Sequence, residues 1–480
     1  MNEQSLFERM KELLRHTAVY GLGNLVARIV SVLLLPLYTR YLTPGDYGLI
    51  ETLVALSAVL TALVAQAMKS AFFRFYFDSA EDDRRRRVIL TAFWYVMAAA
   101  TGVLALGVAF AGPISSVLFG DDSHSGLVIA AFVGLWAAMN YEQMTSMFRV
   151  EKRSGAYLVA TLANLVVTVT ATVLLLVVFD QGPLGVIVGN FTGTLIVYAA
   201  LLVHRRRVLG FGFDRQLYRS MVRYGLPLVP SVLALWATNF SDRFFLVKLA
   251  DVEEVGLYSI GARLASAIVI GLTAFRMGWP AFAYSIADDR EAKRAYSFVM
   301  TYVIYVTCWA ALALGALAPW LLQLITTEPF YAAENVVAPL AFATAAFGGY
   351  TVAVISVGRV RATRLNWAVT GAAAALNVAL NFALIPSFGR MGAAFATLAA
   401  YSLMFAAMVW RAQTVFPVPY QWRRLATLVA VAVGLTVLAK AADVPLGVAL
   451  ALVAAYPLAL IPLRFYLPAE RARLRSLLPT

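Results

Sequence analysis

Fourteen stretches of about 20 largely apolar residues run through this chain, each long enough to cross the hydrocarbon core of a bilayer as a helix. They span residues 17–38, 48–68, 88–110, 126–148, 156–179, 184–203, 222–249, 255–279, 296–317, 336–357, 365–385, 391–410, 425–441 and 445–463. Pro319 and Pro339 interrupt the pattern between the eighth and tenth. In lipid every backbone N–H and C=O must be bonded within the protein, so apolar segments of this length are read as helices. Composition agrees: 61% of the 480 residues are hydrophobic and only 14% are charged, against roughly 25% charged in a soluble chain. The expected class is an all-α integral membrane protein with about 14 transmembrane helices.

The basic residues sort by loop. Of 39 Lys and Arg, 31 fall at one set of alternating loops and helix ends, including Arg84–Arg87, the 205–223 segment with six arginines, and Arg359, Arg361 and Arg364. Cytoplasmic loops carry such an excess. The distribution predicts a multi-pass protein of the plasma membrane with both termini cytoplasmic. It also accounts for the net charge of +13 without a nucleic-acid partner. Arg84–Arg87 is read as a solvated loop facing lipid headgroups. Residues 6–15 alternate apolar and charged residues at helical spacing, as an interfacial helix does.

An internal repeat is visible. Gly182-Pro-Leu-Gly185 follows span five, and Gly389-Arg-Met-Gly392 follows span eleven, 207 residues on. Tyr20-Gly21-Leu22 opens span one and Tyr224-Gly225-Leu226 opens span seven. Tyr47-Gly48-Leu49 corresponds in the same way to Val255-Gly256-Leu257. Spans one to six and seven to twelve are therefore expected to form two six-helix bundles related as parallel repeats, an arrangement found in transporters with the substrate site between halves. The expected organisation is an interfacial segment 1–16, a first bundle 17–204, a linker 205–221, a second bundle 222–411, two peripheral helices in 412–465 and a tail 466–480. The last two helices are apolar all round and suited to lining a groove for a lipid tail.

Charges inside the spans mark function, because an ionised group at bilayer depth costs a few kcal/mol unless paired or facing water. Arg28, Arg243, Arg263 and Arg276 lie within spans, with the acids Glu51, Glu142 and Asp242. Asn24 and Arg28 are four apart and share a helix face, as do Asn239 and Arg243. A surplus of guanidinium groups suits phosphate, which they bind through paired charge-assisted hydrogen bonds. The competing reading is internal pairing, with an Asp242–Arg263 bridge and Arg276 snorkelling to the headgroups. Asn24, Arg28, Asn239, Arg243, Arg263 and Arg276 are the candidate substrate contacts; Glu51, Glu142 and Asp242 are candidates for ion coupling.

Other chemistries find little support. One cysteine, Cys308, and three scattered histidines give no metal cluster or disulfide framework. No P-loop occurs, and no cofactor is expected. A membrane-embedded polymerase, ligase or glycosyltransferase would need acidic or His groups on a large outer loop. Here Asp121, Asp122, His124, Glu328 and Glu334 lie on short loops and read as solvated.

The chain resembles the polysaccharide and O-antigen flippases of the multidrug/oligosaccharidyl-lipid/polysaccharide exporter superfamily. The residues that carry the resemblance are Tyr20-Gly-Leu-Gly-Asn24, the segment Pro36 to Gly48, Arg149-Val-Glu-Lys-Arg153, Asn239-Phe-Ser-Asp-Arg243 and Glu253 to Ser259. The resemblance covers nearly the full chain. It implies a flippase, not an enzyme, that moves undecaprenyl-pyrophosphate-linked sugars to the outer leaflet of a bacterial inner membrane. It also implies a cationic cavity, which Arg28, Arg243, Arg263 and Arg276 would fit. The expected partners are the polyprenyl-linked glycan, membrane lipid and other polysaccharide-assembly membrane proteins. A cation-coupled drug exporter of the same fold is the alternative; it predicts a more acidic cavity.

Overall fold

The computed structural model describes residues 30–78, 81–463 and 465–468, together with Val26. Among these residues the secondary structure is entirely helical. Among the described residues, ten helices are long and apolar enough to cross a membrane. The chain packs as two compact units, residues 1–256 and 257–480.

The first unit contains α1 (Leu35–Tyr41), α2 (Pro44–Phe77), α3 (Asp82–Ala109), α4 (Ala111–Phe119), α5 (Ser125–Val150), α6 (Ser154–Val178), α7 (Gly182–Arg205), α8 (Arg215–Gly225) and α9 (Val229–Leu249). Helix α10 (Val252–Ala265) begins in this unit and runs into the next. The second unit continues with α11 (Ala267–Ser285), α12 (Asp289–Ile325), α13 (Glu334–Arg359), α14 (Asn366–Val415), α15 (Trp422–Ala441) and α16 (Leu446–Ala459).

Local sequence explains the helix ends. Thr43 and Asp46 form a reciprocal capping box at the start of α2: the Asp46 amide donates to Thr43 Oγ1 at 3.1 Å, and the Thr43 amide donates to Asp46 Oδ2 at 3.0 Å. Asp214 caps α8 and Asp288 caps α12 through their carboxylates. Helix α2 carries a π-helical turn at Ala62–Gln66.

Several expectations shift. The first span lies largely outside the described residues, as do the interfacial segment and the tail. Pro319 and Pro339 sit inside α12 and α13 rather than breaking them. A membrane helix tolerates such a proline because neighbouring helices and local turns take up the freed backbone groups. The eighth span is built from α10 and α11, which meet at Ser266. Spans eleven and twelve are, as expected, two helices: they form the two arms of α14, which reverses at Gly389, whose φ of 49° and ψ of −132° are non-helical.

The hairpins that the repeat equates share their stereochemistry. Gly182 has φ 54° and Gly389 φ 49°, backbone that only glycine adopts readily. Three residues on, the chain returns against itself: a Cβ on Gly185 would lie 3.0 Å from the Leu175 carbonyl oxygen, and one on Gly392 would lie 2.6 Å from that of Leu384. Each hairpin is pinned by an Asn–Thr bond across it, Thr194 Oγ1 to Asn164 Oδ1 at 3.3 Å and Asn377 Nδ2 to Thr397 Oγ1 at 3.4 Å. Gly48 and Gly256, also equated by the repeat, pack reciprocally. A Cβ on Gly48 would meet the Val252 carbonyl oxygen at 1.9 Å, and a Cβ on Gly256 would meet that of Pro44 at 1.9 Å.

Compact packing divides the chain after span seven, whereas the repeat divides it after span six. The cause is α9, which packs on α2. Helices α15 and α16 pack on α12 and add Leu428, Tyr456 and Leu460 to the core of the second unit. Their contacts include hydrogen bonds from Trp309 Nε1 to the Val453 carbonyl (2.8 Å) and from Tyr456 OH to the Leu428 carbonyl (3.2 Å).

Candidate functional site

Helix α9 crosses α2 with Val232, Leu235, Trp236, Asn239 and Phe240 along one stripe, and Arg243 at the next step of the same stripe. This spacing faces a cavity of about 520 Å³ in the first unit. The opposite walls come from Val54, Ser57, Ala58 and Thr61 of α2, Leu135, Ala138 and Glu142 of α5, and Phe191 of α7. The π-helical turn of α2 begins at Ala62, on the cavity wall. Such turns recur at functional sites because they re-aim the side chains of a helix.

Two charge clusters bracket this space along α2. Towards the start of α2, Arg243 Nε lies 3.5 Å from Glu51 Oε2, and Arg243 Nη1 lies 3.2 Å from Asp242 Oδ1. The same Nη1 donates to the Asn239 carbonyl at 3.1 Å, and the guanidinium rests 5.3 Å from the Phe240 ring centroid. Glu51, Asp242 and Arg243 are all buried. Trp236 Nε1 donates to the Ala55 carbonyl at 3.1 Å, fastening α9 to α2 one turn beyond Glu51. Eighteen residues along α2, Lys69 pairs with Glu142, at a helical rise of roughly 27 Å from Glu51.

The sequence-nominated residues fall into three groups. Asn239 and Glu142 line the cavity, and Glu51, Asp242 and Arg243 form one buried cluster on the α2–α9 contact beside it. Arg263 and Arg276 lie in the second unit on the consecutive helices α10 and α11. Arg276 is exposed, 5.4 Å from the Phe347 ring centroid. Asn24 and Arg28 lie outside the described residues. The Asp242 carboxylate accepts a hydrogen bond from the guanidinium of its neighbour Arg243 at 3.2 Å. Sequence reasoning missed Lys69, assigned to a loop; the signal was the unbroken helical pattern from Gly48 to Phe77, which carries Lys69 to the level of Glu142. Trp236 was also missed, because a Trp in an apolar run has many uses.

The site's charge balance follows. Among the described residues, the two clusters hold three carboxylates, Glu51, Asp242 and Glu142, and two cations, Arg243 and Lys69. Among the described residues no group of His, Cys, Asp and Glu could hold a metal ion. The loop acid Asp121 is bound into its own turn: the Ser123 amide donates to its Oδ1 at 2.9 Å. Hydrogen bonds from the Ser123 hydroxyl and amide hold the Asp121 carboxyl below its ordinary range.

An all-helical, multi-pass chain with charged pairs around an intramembrane cavity has the architecture of a membrane transporter, and solved structures agree on the fold. The structure of the lipid II flippase MurJ in an inward closed conformation superposes with a TM-score of 0.73 at 11% identity, covering 93% of this chain and 97% of that one. An inward-facing multidrug resistance transporter of the MATE family gives 0.67 at 10% identity, over 85% and 94%. A MOP superfamily transporter from Pyrococcus furiosus gives 0.57 at 11% identity, over 86% and 96%. Residues 13–285, more than half of the sequence, match the polysaccharide biosynthesis protein family, and the chain belongs to that family. A protein of the Haemophilus influenzae Lsg locus is 21% identical over 304 residues, covering 58% of this chain and 67% of its own.

Proposed function

We propose that this protein is a flippase that moves undecaprenyl-pyrophosphate-linked oligosaccharide repeat units across the bacterial inner membrane by alternating access, with both termini cytoplasmic. The observation that carries the reading is a buried guanidinium, Arg243, held by two carboxylates beside an intramembrane cavity in a member of the polysaccharide biosynthesis family. Phosphate oxygens compete for a guanidinium with the same geometry as a carboxylate. Protonation of Glu51 would release one arm of Arg243, and a pyrophosphate could take its place. Glu51 and Asp242 thereby couple ion movement to substrate occupancy, while Lys69–Glu142 forms the second charged end. Arg28, Arg263 and Arg276, with Asn24 and Asn239, complete the proposed substrate contacts. The polyprenyl tail stays in lipid.

The test is surface polysaccharide in a strain that depends on this protein. Arg276→Ala should abolish it while membrane expression stays at the wild-type level, and Arg243→Ala should abolish it when normalised to the protein that remains folded in the membrane. Normal polysaccharide from both variants sinks the proposal. Three carboxylates against two cations among the described residues of the two clusters support a second reading, export of a cationic compound. Deleting the gene should then sensitise cells to cationic dyes; under the flippase reading dye sensitivity is unchanged.

A further inference from the structure

Apart from the cavity, the first unit carries a second built feature where α7 hands over to α8. Residues 205–225 contain six arginines and a single acid, Asp214, whose carboxylate is occupied capping α8 at the Gln216 and Leu217 amides. Arg205 is buried against Glu151. The other five are exposed, and Arg215, Arg219 and Arg223 are spaced four apart on one face of α8. The opposite face is spent on protein: Met221 is fully buried, and Tyr224 meets Phe75 edge-on at 6.1 Å. The arginine stripe is thus turned away from the fold. At the start of α3, Glu81, Asp82 and Asp83 offset three of the four arginines Arg84–Arg87, so most of the net positive charge belongs to the 205–225 segment, with six arginines and one acid.

Beside this stripe lies an aromatic cup of about 520 Å³, formed by Trp94, Tyr95, Phe211, Phe213 and Tyr218. The cup is preformed. Trp94 stacks on Phe211 at 5.4 Å and 15° while its Nε1 donates to the Gly210 carbonyl at 3.1 Å. The Asp214 amide donates to Thr91 Oγ1 at 3.2 Å, and Tyr218 meets both Tyr95 and Phe213 at 5.4 Å. Yet Phe211 is 97% exposed. A fully exposed phenyl ring fixed by a stack is out of place in water and at home among acyl chains, where aromatics form interfacial belts.

We propose that this patch seats one anionic phospholipid of the leaflet on the basic side of the protein. Its phosphate would lie on Arg215, Arg219 and Arg223, and the start of an acyl chain in the cup between Phe211 and Tyr95. The charge is complementary, since clusters of four to eight basic residues on an amphipathic helix recruit anionic lipid. The cup adds what a bare basic loop lacks, a shaped apolar seat within reach of the same residues. This inference is independent of the transported substrate.

The experiment is native mass spectrometry of the purified full-length protein titrated with dioleoyl phosphatidylglycerol or dioleoyl phosphatidylcholine. The wild type should bind the first phosphatidylglycerol at least tenfold more tightly than the first phosphatidylcholine. The triple variant Arg215→Gln, Arg219→Gln, Arg223→Gln should lose that preference, and Phe211→Ser should weaken it severalfold with all charges intact. Arg364→Gln with Arg423→Gln, which removes exposed arginines of the second unit, should leave it unchanged. All replaced side chains are exposed, so unchanged thermal melting in detergent verifies the fold. Equal binding of the two lipids, retained preference in the triple variant, an indifferent Phe211→Ser, or equal loss in the second-unit control overturns the proposal. So does a triple variant that loses geranylgeranyl pyrophosphate adducts while keeping phosphatidylglycerol, because the patch would then belong to a prenyl pyrophosphate.

Discussion

Arg243 is the residue on which the buried charge of the first unit turns. Its guanidinium faces Asp242 on its own helix and Glu51 across the contact with α2, so removing it takes one cation from two buried carboxylates. Breaking a buried ion pair from one side costs about 3–5 kcal/mol. Arg243→Met should therefore lower the melting temperature in detergent far more than Glu51→Gln, which leaves Asp242 in place. The double variant should be more stable than the sum of the two predicts, with a coupling of about 1–3 kcal/mol. Additive losses would show that Glu51 and Arg243 do not act as a pair. The cost of an intramembrane Asp-Arg dipeptide is visible in sequence. Its compensation is not: Glu51 is 192 positions away, and only the crossing of α2 and α9 makes them neighbours.

At the scale of elements, the hairpins are controlled by glycine. Gly389 combines a positive φ with a ψ of −132°, a region closed to side-chain-bearing residues, where the strain is of order 1–3 kcal/mol. Gly389→Ala should destabilise the protein by about that amount, and Gly389→Asn should not rescue it because asparagine favours a different positive-φ well near ψ of about +47°. Gly392→Ala should also destabilise, since its Cβ would lie 2.6 Å from backbone of Leu384. Gly434→Ala, with open space around it within α15, should instead be neutral or gain up to about 1 kcal/mol from helix propensity. Melting in detergent orders the three; a tolerated Gly389→Ala contradicts the bend. The paired Gly-x-x-Gly signals at 182 and 389 were legible in sequence because the backbone itself demands glycine there. The merging of span nine and its flanks into a 37-residue α12 was not, because proline reads as a breaker unless its tertiary neighbours are known.

For the whole molecule, charge sorting makes a prediction that uses its single cysteine. Cys308 is fully buried, and burial pushes its thiol out of reach of aqueous maleimide. New cysteines can therefore be read against a silent background. Asp122→Cys should react with a membrane-impermeant maleimide in spheroplasts, and Arg207→Cys only after permeabilisation. Labelling of both from the same side would refute the topology.

The sequence by itself determined the helical membrane class, the position of most apolar spans, the glycine turns of the repeat and the sorting of basic residues by loop. Each of these follows from local properties: transfer free energy along about 20 residues, the charge of a loop, or a φ that only glycine tolerates. Tertiary structure alone decided the rest. It placed Lys69 opposite Glu142, bound Arg243 to Glu51, fastened the 205–225 segment onto α3, and grouped α9 with the first unit. Those pairings depend on which helices cross and at what height, and an apolar helix face leaves that choice to packing.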